Sequence, residues 1–124
     1  MRGAKNNKQR AYSFGKLAEG VAAFLLRLKG YQILAQRFRA PGGEVDIIAK
    51  RGRALVFVEV KARGQLADAA FSILPRQQAR IEAAARAFLA RHPDYFNWNM
   101  RFDVILVAPM RFPSHIMDAW RILE

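Results

Sequence analysis

Residues 42–63 read GGEVDIIAKRGRALVFVEVKAR, and the rest of the chain is arranged around them. Two runs rich in Val, Ile and Phe, roughly Glu44 to Lys50 and Ala54 to Ala62, are each bounded by turn residues, which predicts two strands joined by a tight turn at Arg51-Gly52. Side chains alternate faces along a strand, so Glu44, Asp46 and Ile48 share one face, and Leu55, Phe57, Glu59 and Lys61 share another. Pairing Lys50 with Arg53 across the turn sets Glu44 opposite Glu59 and Asp46 opposite Phe57, all on one face of the sheet. Directly opposed Cβ atoms lie about 4.5–5.5 Å apart and diagonal neighbours about 7–8 Å. Three carboxylates and a lysine then crowd one patch of an otherwise apolar hairpin.

Folding alone does not favour this arrangement. Opposed like charges destabilise a sheet, and unpaired charges are expensive in apolar surroundings. A hard divalent cation resolves the conflict, because Mg²⁺ takes one or two carboxylates and keeps several waters. Such an ion also activates water and stabilises charge on a phosphate being displaced. Lys61, two residues beyond Glu59, is placed to steer the attacking water or to neutralise the same phosphate. An ordinary solvent-facing strand also carries E-x-K on occasion. Here the motif sits in V-F-V-E-V-K, with an acidic E-x-D on the preceding strand. The reading depends on register, since a slip of one residue sends Asp46 to the face opposite Glu59 and Lys61. It therefore predicts the Asp46 and Glu59 carboxylates within roughly 4–6 Å, twice the oxygen-to-Mg²⁺ reach plus slack, and the Lys61 amine in the same pocket.

GGEVDIIA followed by LVFVEVKAR resembles the metal-binding core of the PD-(D/E)XK nuclease superfamily. More closely, it resembles the YraN-like uncharacterised protein family, a bacterial group related to Holliday-junction-resolvase-type endonucleases. The likeness extends in order through Glu19 on a first helix, GYQIL at 30–34, the hairpin, a basic helix and RFDVILV at 101–107. It implies a restriction-endonuclease-like fold, a Mg²⁺ cofactor for which Mn²⁺ can substitute, and a place for Glu19 beside the metal. Two positions depart from the family pattern. Arg37 stands where Asn is usual, before Phe38 and Arg39, and Gln77 stands where the second long helix often has Lys (Pro75-Arg76-Gln77-Gln78). The second departure touches an accessory phosphate contact, which Arg76 or Arg80 could supply.

The chain has 124 residues, the size of one domain, with 52% hydrophobic and 25% charged residues, a globular composition. With no cysteine, disulfides are excluded and a cytoplasmic home is compatible. No apolar run approaches the roughly 18 residues of a membrane span, and the N-terminus lacks a signal peptide's apolar region. Lys and Arg total 21 against 10 acidic residues, a formal charge of +11, which points to a polyanionic partner, nucleic acid before a membrane surface.

Residues 1–12 form a basic segment, read as a mobile arm ahead of a single domain at 13–124. Ser13 reads as the N-cap of a helix to about Lys29, with Phe14, Leu17, Val21, Phe24, Leu25 and Leu28 as its apolar stripe. Glu19 lies nearly opposite that stripe, which by geometry makes it a solvated residue and conflicts with the place the resemblance gives it. Tyr31 to Phe38 reads as a strand leading to Gly42-Gly43, where a ligand or a plain turn would use the glycines equally. Arg63 follows Lys61 on the same face as a candidate phosphate clamp. Residues 64–73 read as a loop that closes over nucleic acid. Pro75 opens a helix to about Arg91 that packs Ile81, Ala84, Ala85, Phe88 and Leu89 inward and turns Arg76, Arg80 and Arg86 outward. Tyr95 to Trp98 reads as an aromatic loop that closes the core, with base stacking conceivable. Met100 to Val107 is a last core strand whose Asp103 partners an arginine, and a short helix from Ser114 to Leu123 ends the chain. His92 and His115 read as structural.

The architecture expected is α/β: a restriction-endonuclease-like core whose mixed sheet joins an antiparallel meander to a parallel crossover strand, flanked by helices. The function expected is a Mg²⁺-dependent endonuclease on DNA, branched or structured DNA included, with a homodimer left open. Asp46 and Glu59 are the metal ligands, Lys61 positions water, Glu44 and Glu19 assist, and Arg37, Arg39, Arg63, Arg76 and Arg80 contact nucleic acid. The alternative is a nucleic-acid-binding module on a nuclease fold, inactive or dependent on a partner.

Overall fold

The computed structural model describes residues 2–62 and 73–122, with side chains from Phe14 onward. Its elements in order are α1 (Arg2–Leu28), β1 (Gln32–Ala40), β2 (Gly43–Arg51), β3 (Ala54–Ala62), α2 (Pro75–Arg91), a 3₁₀ turn (Pro93–Tyr95), β4 (Asn99–Val107) and β5 (Ser114–Trp120). The five strands form one sheet in the order β1-β2-β3-β4-β5. The first three make an antiparallel meander. The crossover through α2 brings β4 back parallel to β3, in unbroken register from Ala54↔Asn99 to Ala62↔Val107. This is the α/β, restriction-endonuclease-like arrangement expected from the element order together with the family resemblance, with one addition at the far edge.

That addition is β5. The segment read as a closing helix pairs antiparallel with β4. Local spacing of Ile116 and Trp120 suits a helix turn, but the open edge of β4 offers a row of backbone groups, and pairing with them decides the outcome. Ile116 and Trp120 pack on Val104 and Leu106, while Met117 stays exposed.

Two layers of core lie on the two faces of the sheet. On one, Ala18, Ala22, Ala23 and Leu26 of α1 meet Ile47, Ala49, Val56, Val58 and Ile105. On the other, Ile81, Ala84, Ala85 and Phe88 of α2 meet Val45, Ile48, Leu55, Phe57 and Phe102. The inward side of α2 is the one its periodicity predicts. That of α1 is turned part-way round: Phe14, Val21 and Leu25 pack on the core as expected, but Leu17, Phe24 and Leu28 are 63%, 61% and 69% exposed, and an alanine-lined arc forms the centre of the buried face. Small side chains let the helix lie close to the sheet, and at about 100° per residue Glu19 falls inside that buried arc. The helix also begins at Arg2 rather than at Ser13, so the basic residues expected in a mobile arm fall within its first turns. Among the described residues no helix is long and apolar enough to cross a membrane.

The hairpin register differs from the expected one by two residues. Arg51 pairs with Ala54 and Lys50 with Leu55, leaving Gly52-Arg53 as the turn. Positive φ then falls on Gly52, at 58°, and on neither arginine flanking it. A shift of two keeps every side chain on its face. Gly43 is fixed by a different demand: a Cβ there would lie 2.0 Å from the carbonyl oxygen of Arg80. Its backbone approaches α2, not a ligand, and this contact holds the start of β2 against the first turns of the helix.

Candidate active site

β2 and β3 stop pairing at Ile47↔Val58. Beyond that point Asp46 uses its side chain where the ladder would use a carbonyl: the Val60 backbone N–H donates to Asp46 Oδ2 at 2.7 Å. Alternation along β2 also breaks here, since Val45 and Ile48 pack towards α2 but Ile47 packs towards α1. The flanking pairs Gln36↔Ile47 and Phe38↔Val45 put Arg37 opposite Asp46, and Arg37 takes a left-handed φ of 53°. A non-glycine residue in that region is uncommon, and such strain concentrates at functional sites.

Asp46 and Glu59 meet at this break, their side chains hydrogen-bonded to each other. The Glu59 carboxyl is pushed up to about 9, first by burial, then by a hydrogen bond to Asp46 and by the negative charge of Asp46, with Glu44 adding to the rise and Lys61 opposing it. Burial and the neighbouring carboxyl thus favour a proton held by the pair in the metal-free protein. One proton holds two carboxyl groups together, in the place where a cation would otherwise balance them.

Two cavities flank the pair. One of about 270 Å³ lies towards α1, bordered by Gly15, Ala18, Glu19, Arg37, Asp46 and Glu59. The other, of about 80 Å³, lies towards α2 and is bordered by Glu44, Asp46, Glu59, Gln77, Arg80 and Ile81. Glu19 thus reaches the site from the alanine-lined, buried arc of α1, where Arg37 Nε donates to its Oε2 at 2.8 Å. Glu44 is ion-paired to Arg39 at 3.3 Å and to Arg80 at 3.9 Å. Lys61 is buried, and its Nζ donates to Gln77 Oε1 at 3.3 Å.

Of the residues singled out in the sequence, Asp46, Glu59, Glu44, Glu19 and Arg37 border these two cavities, joined by Arg80, while Lys61 reaches the second through Gln77. Arg39 joins through its pair with Glu44. Arg76 is exposed at the start of α2. Arg63 and the loop expected to close over nucleic acid lie outside the described residues, apart from Ile73. Gln77 was noted only as a departure from a family pattern, and its contact with Lys61 had no signal in the sequence.

The donor set suits Mg²⁺. Among the described residues no three His, Asp or Glu side chains converge as a ready-made metal centre, but Mg²⁺ is commonly held by one or two carboxylates plus waters. Asp46 and Glu59, drawn together by a shared proton beside open space, fit that pattern.

A second buried carboxylate lies elsewhere on the sheet. Asp103, fully buried, accepts from Arg101 Nε and Nη2, both at 2.8 Å, and from the Asp118 backbone N–H at 3.0 Å. His115 Nε2 lies 2.7 Å from its Oδ2, and Lys29 Nζ lies 2.6 Å from His115 Nδ1. Donation by Nε2–H to Asp103 and by the Lys29 ammonium to Nδ1 satisfies both contacts at once. Arg101 also donates to the Tyr31 hydroxyl at 2.6 Å. Asp103 is the arginine's partner, as its place in RFDV suggested; the histidine and lysine are additions that sequence spacing did not reveal.

The fold and this hairpin define the class: an α/β protein with a restriction-endonuclease-like core that carries a carboxylate pair and a lysine on its central strands. The model of the uncharacterised protein family UPF0102, the YraN-like family, matches residues 18–107, and the chain belongs to that family. It is 53% identical over 118 residues to a UPF0102 protein of Paramagnetospirillum magneticum, covering 92% of each chain. It is 52% identical over 111 residues to a UPF0102 protein of Parvibaculum lavamentivorans, covering 90% of this chain and 84% of the relative. A UPF0102 protein of Bradyrhizobium sp. (strain ORS 278) is 54% identical over 110 residues, covering 89% and 78%.

Proposed function

We propose that this protein is a Mg²⁺-dependent endonuclease acting on DNA. The observation that carries the reading is the Asp46–Glu59 pair, two carboxyl groups brought together where β2 and β3 part, both bordering two cavities and close to a buried lysine. The net charge of +11 supports a polyanionic substrate.

Asp46 and Glu59 would hold the ion, and Mg²⁺ bound there supplies Lewis-acid stabilisation of phosphate charge and a more acidic water. Glu59 must give up its proton to act as a ligand, so metal binding is coupled to proton release. Lys61, held by Gln77, presents an ammonium to the phosphate oxygen or to the attacking water. Glu44 holds Arg39 and Arg80 at the cavity mouth, where a phosphate can take over either guanidinium. Glu19 orients Arg37 across the other cavity. The in-line geometry of attack is left to the substrate's docking between these groups.

The test is cleavage of linear, flapped and four-way DNA with Mg²⁺ or Mn²⁺, with Glu59→Gln and Lys61→Gln as controls. Metal-dependent cleavage lost in both variants is expected. DNA binding without cleavage under any of these conditions would overturn the enzyme reading in favour of a binding module.

A further inference from the structure

A third cavity, of about 500 Å³, lies at the opposite end of β2 from Asp46. Its walls are Lys50, Arg91, His92, Asp94, Tyr95 and Trp98. Lys50 sits 5.5 Å from the Tyr95 ring centre and 5.6 Å from that of Trp98, and Arg53 sits 5.0 Å over Trp98. Tyr95 and Trp98 meet edge to face at 4.8 Å. Phe88 backs Tyr95 from the core, with the ring centres 6.1 Å apart. The aromatic pair is thus fixed by packing on one side, and the long cationic side chains of Lys50 and Arg53 lie over its rings. Phe96, on the same turn, is 80% exposed.

A basic flank connects this cavity to the carboxylate pair. At about 100° per residue, Arg76, Arg80 and Arg91 fall within an arc of about 60° on α2. That flank faces the β1–β2 edge, because Arg80 reaches Glu44 on β2 and Arg91 lies 5.3 Å over Phe38 on β1. Asp46 and Lys50 are about 13 Å apart along β2, and Arg76 and Arg91 about 22 Å apart along α2. These lengths correspond to a few nucleotides of extended strand.

We infer that the cavity at Lys50, Tyr95 and Trp98 is a subsite for an unpaired nucleobase, which makes the substrate a DNA with a single-stranded segment beside the scissile phosphate. This rests on the nuclease reading above. A paired base in a duplex has both faces covered by its neighbours, so an aromatic cavity rewards only bases free to leave the stack. Cations resting over rings are weakly held at an exposed site. A base entering between them exchanges those contacts for stacking on the ring, while Lys50 and Arg91 turn to its phosphates and Arg53 can stack on its outer face. Among the described residues Asp94 is the one acid that lines the cavity, against the two cations Lys50 and Arg91.

The experiment measures affinity of the full chain, in metal-free buffer at low salt, for three labelled DNAs. These are a blunt duplex, the same duplex with a single-stranded arm, and that duplex with an abasic arm of equal phosphate count. The armed DNA should bind about tenfold tighter than the abasic-armed one, the scale of one stacked base. Trp98→Phe should keep that preference and Trp98→Ala should lose it. Because Trp98 is partly buried, the wild-type comparison and the pair of Lys50→Gln and Arg91→Gln stand beside it. Those two variants should weaken both armed DNAs and spare the blunt duplex. Equal affinity for armed and abasic-armed DNA would overturn the subsite, and metal-dependent cleavage of the same DNAs would then leave the nuclease reading standing. Failure to bind any of the three would end both.

Discussion

Asp46 on β2 and Asp103 on β4 each accept a backbone N–H from the neighbouring strand, Val60's at 2.7 Å and Asp118's at 3.0 Å. Each sits where its antiparallel ladder stops or slips. There the likeness ends. Around Asp103 burial alone would raise the carboxyl, but hydrogen bonds from His115, Arg101 and the Asp118 backbone, with the charge of Arg101, hold it below the ordinary carboxylate range. Around Asp46 the nearest acidic group is Glu59, and the fold provides a shared proton in place of a cation. One carboxylate is solvated by donors of the protein itself; in the other pair a second carboxyl group takes part, with Lys61 opposing and Glu44 adding to its negative charge. Satisfaction of the charge, not burial, separates a structural acid from a candidate site.

The largest consequence is in stability. Asp103→Ala would leave Arg101 and His115 beside an empty buried position, and breaking a buried pair in this way costs about 3–5 kcal/mol. Glu59→Gln, by contrast, replaces a protonated carboxyl with a group of the same shape that still donates to Asp46. In the metal-free protein near pH 4.5, before the Glu59 contribution is lost, it should shift stability by less than about 1 kcal/mol. Urea unfolding of the two variants checks this, and equal losses would remove the distinction between the two clusters. Asp46 does not behave like Glu59, because it closes the Val60 N–H. Truncating it to Ala should destabilise by about 1 kcal/mol even though it relieves crowding.

Much of this arrangement was legible in the hairpin. Strands around V-F-V-E-V-K, the crossover helix and the parallel β4 follow from patterns of period 2 and 3.6 that no tertiary contact overrode. Register was legible only to its parity, because parity is what the buried faces specify, while the exact pairing was decided by Gly52 taking the positive φ. The face of α1 misled because size was taken as the sign of burial. Leu17, Phe24 and Leu28 point out, and Ala18 and Ala22 point in. With the buried arc turned towards the alanines, Glu19 falls inside it and borders the site, and the conflict between its geometry and the family resemblance disappears. β5 was misread because an edge in need of pairing lies outside any local window. Gln77 meeting Lys61, and Lys29 meeting His115, join residues far apart in sequence, and one sequence carries no trace of such pairs.

The two clusters also respond to pH in opposite directions. Glu59 has a raised folded-state value, so it binds its proton more tightly in the folded chain. Its contribution to stability is complete below its ordinary value of 4.5 and is lost as pH rises towards about 9. Within that window, one proton gives a slope of at most about 1.4 kcal/mol per pH unit. Asp103 is lowered, so its contribution is complete above 3.8 and is lost as pH falls below that value. Unfolding measured from pH 5 to 9 without metal should therefore show declining stability that Glu59→Gln flattens. Adding Mg²⁺ to the wild type should flatten it as well, because the ion takes the place of the proton. A slope indifferent to both changes would mean that Asp46 and Glu59 do not share a proton.

The smallest effect sits at Glu19, where the comparison can be made sharpest. Its ion pair with Arg37 spans side chains 21% and 44% exposed, and pairs of that exposure contribute about 0–1 kcal/mol. Glu19→Gln should accordingly leave unfolding nearly unchanged. Its charge, however, borders the same cavity as Asp46 and Glu59, so the variant should bind Mn²⁺ several-fold more weakly in a calorimetric titration. Arg37→Ala should do the reverse, since it withdraws a cation from the same cavity wall. Opposite signs from two partners of one ion pair cannot come from loss of the pair itself, which would affect both variants alike. Should Mn²⁺ affinity be untouched in both, Glu19 is only the anchor of Arg37, and the charge that attracts a metal is confined to the hairpin.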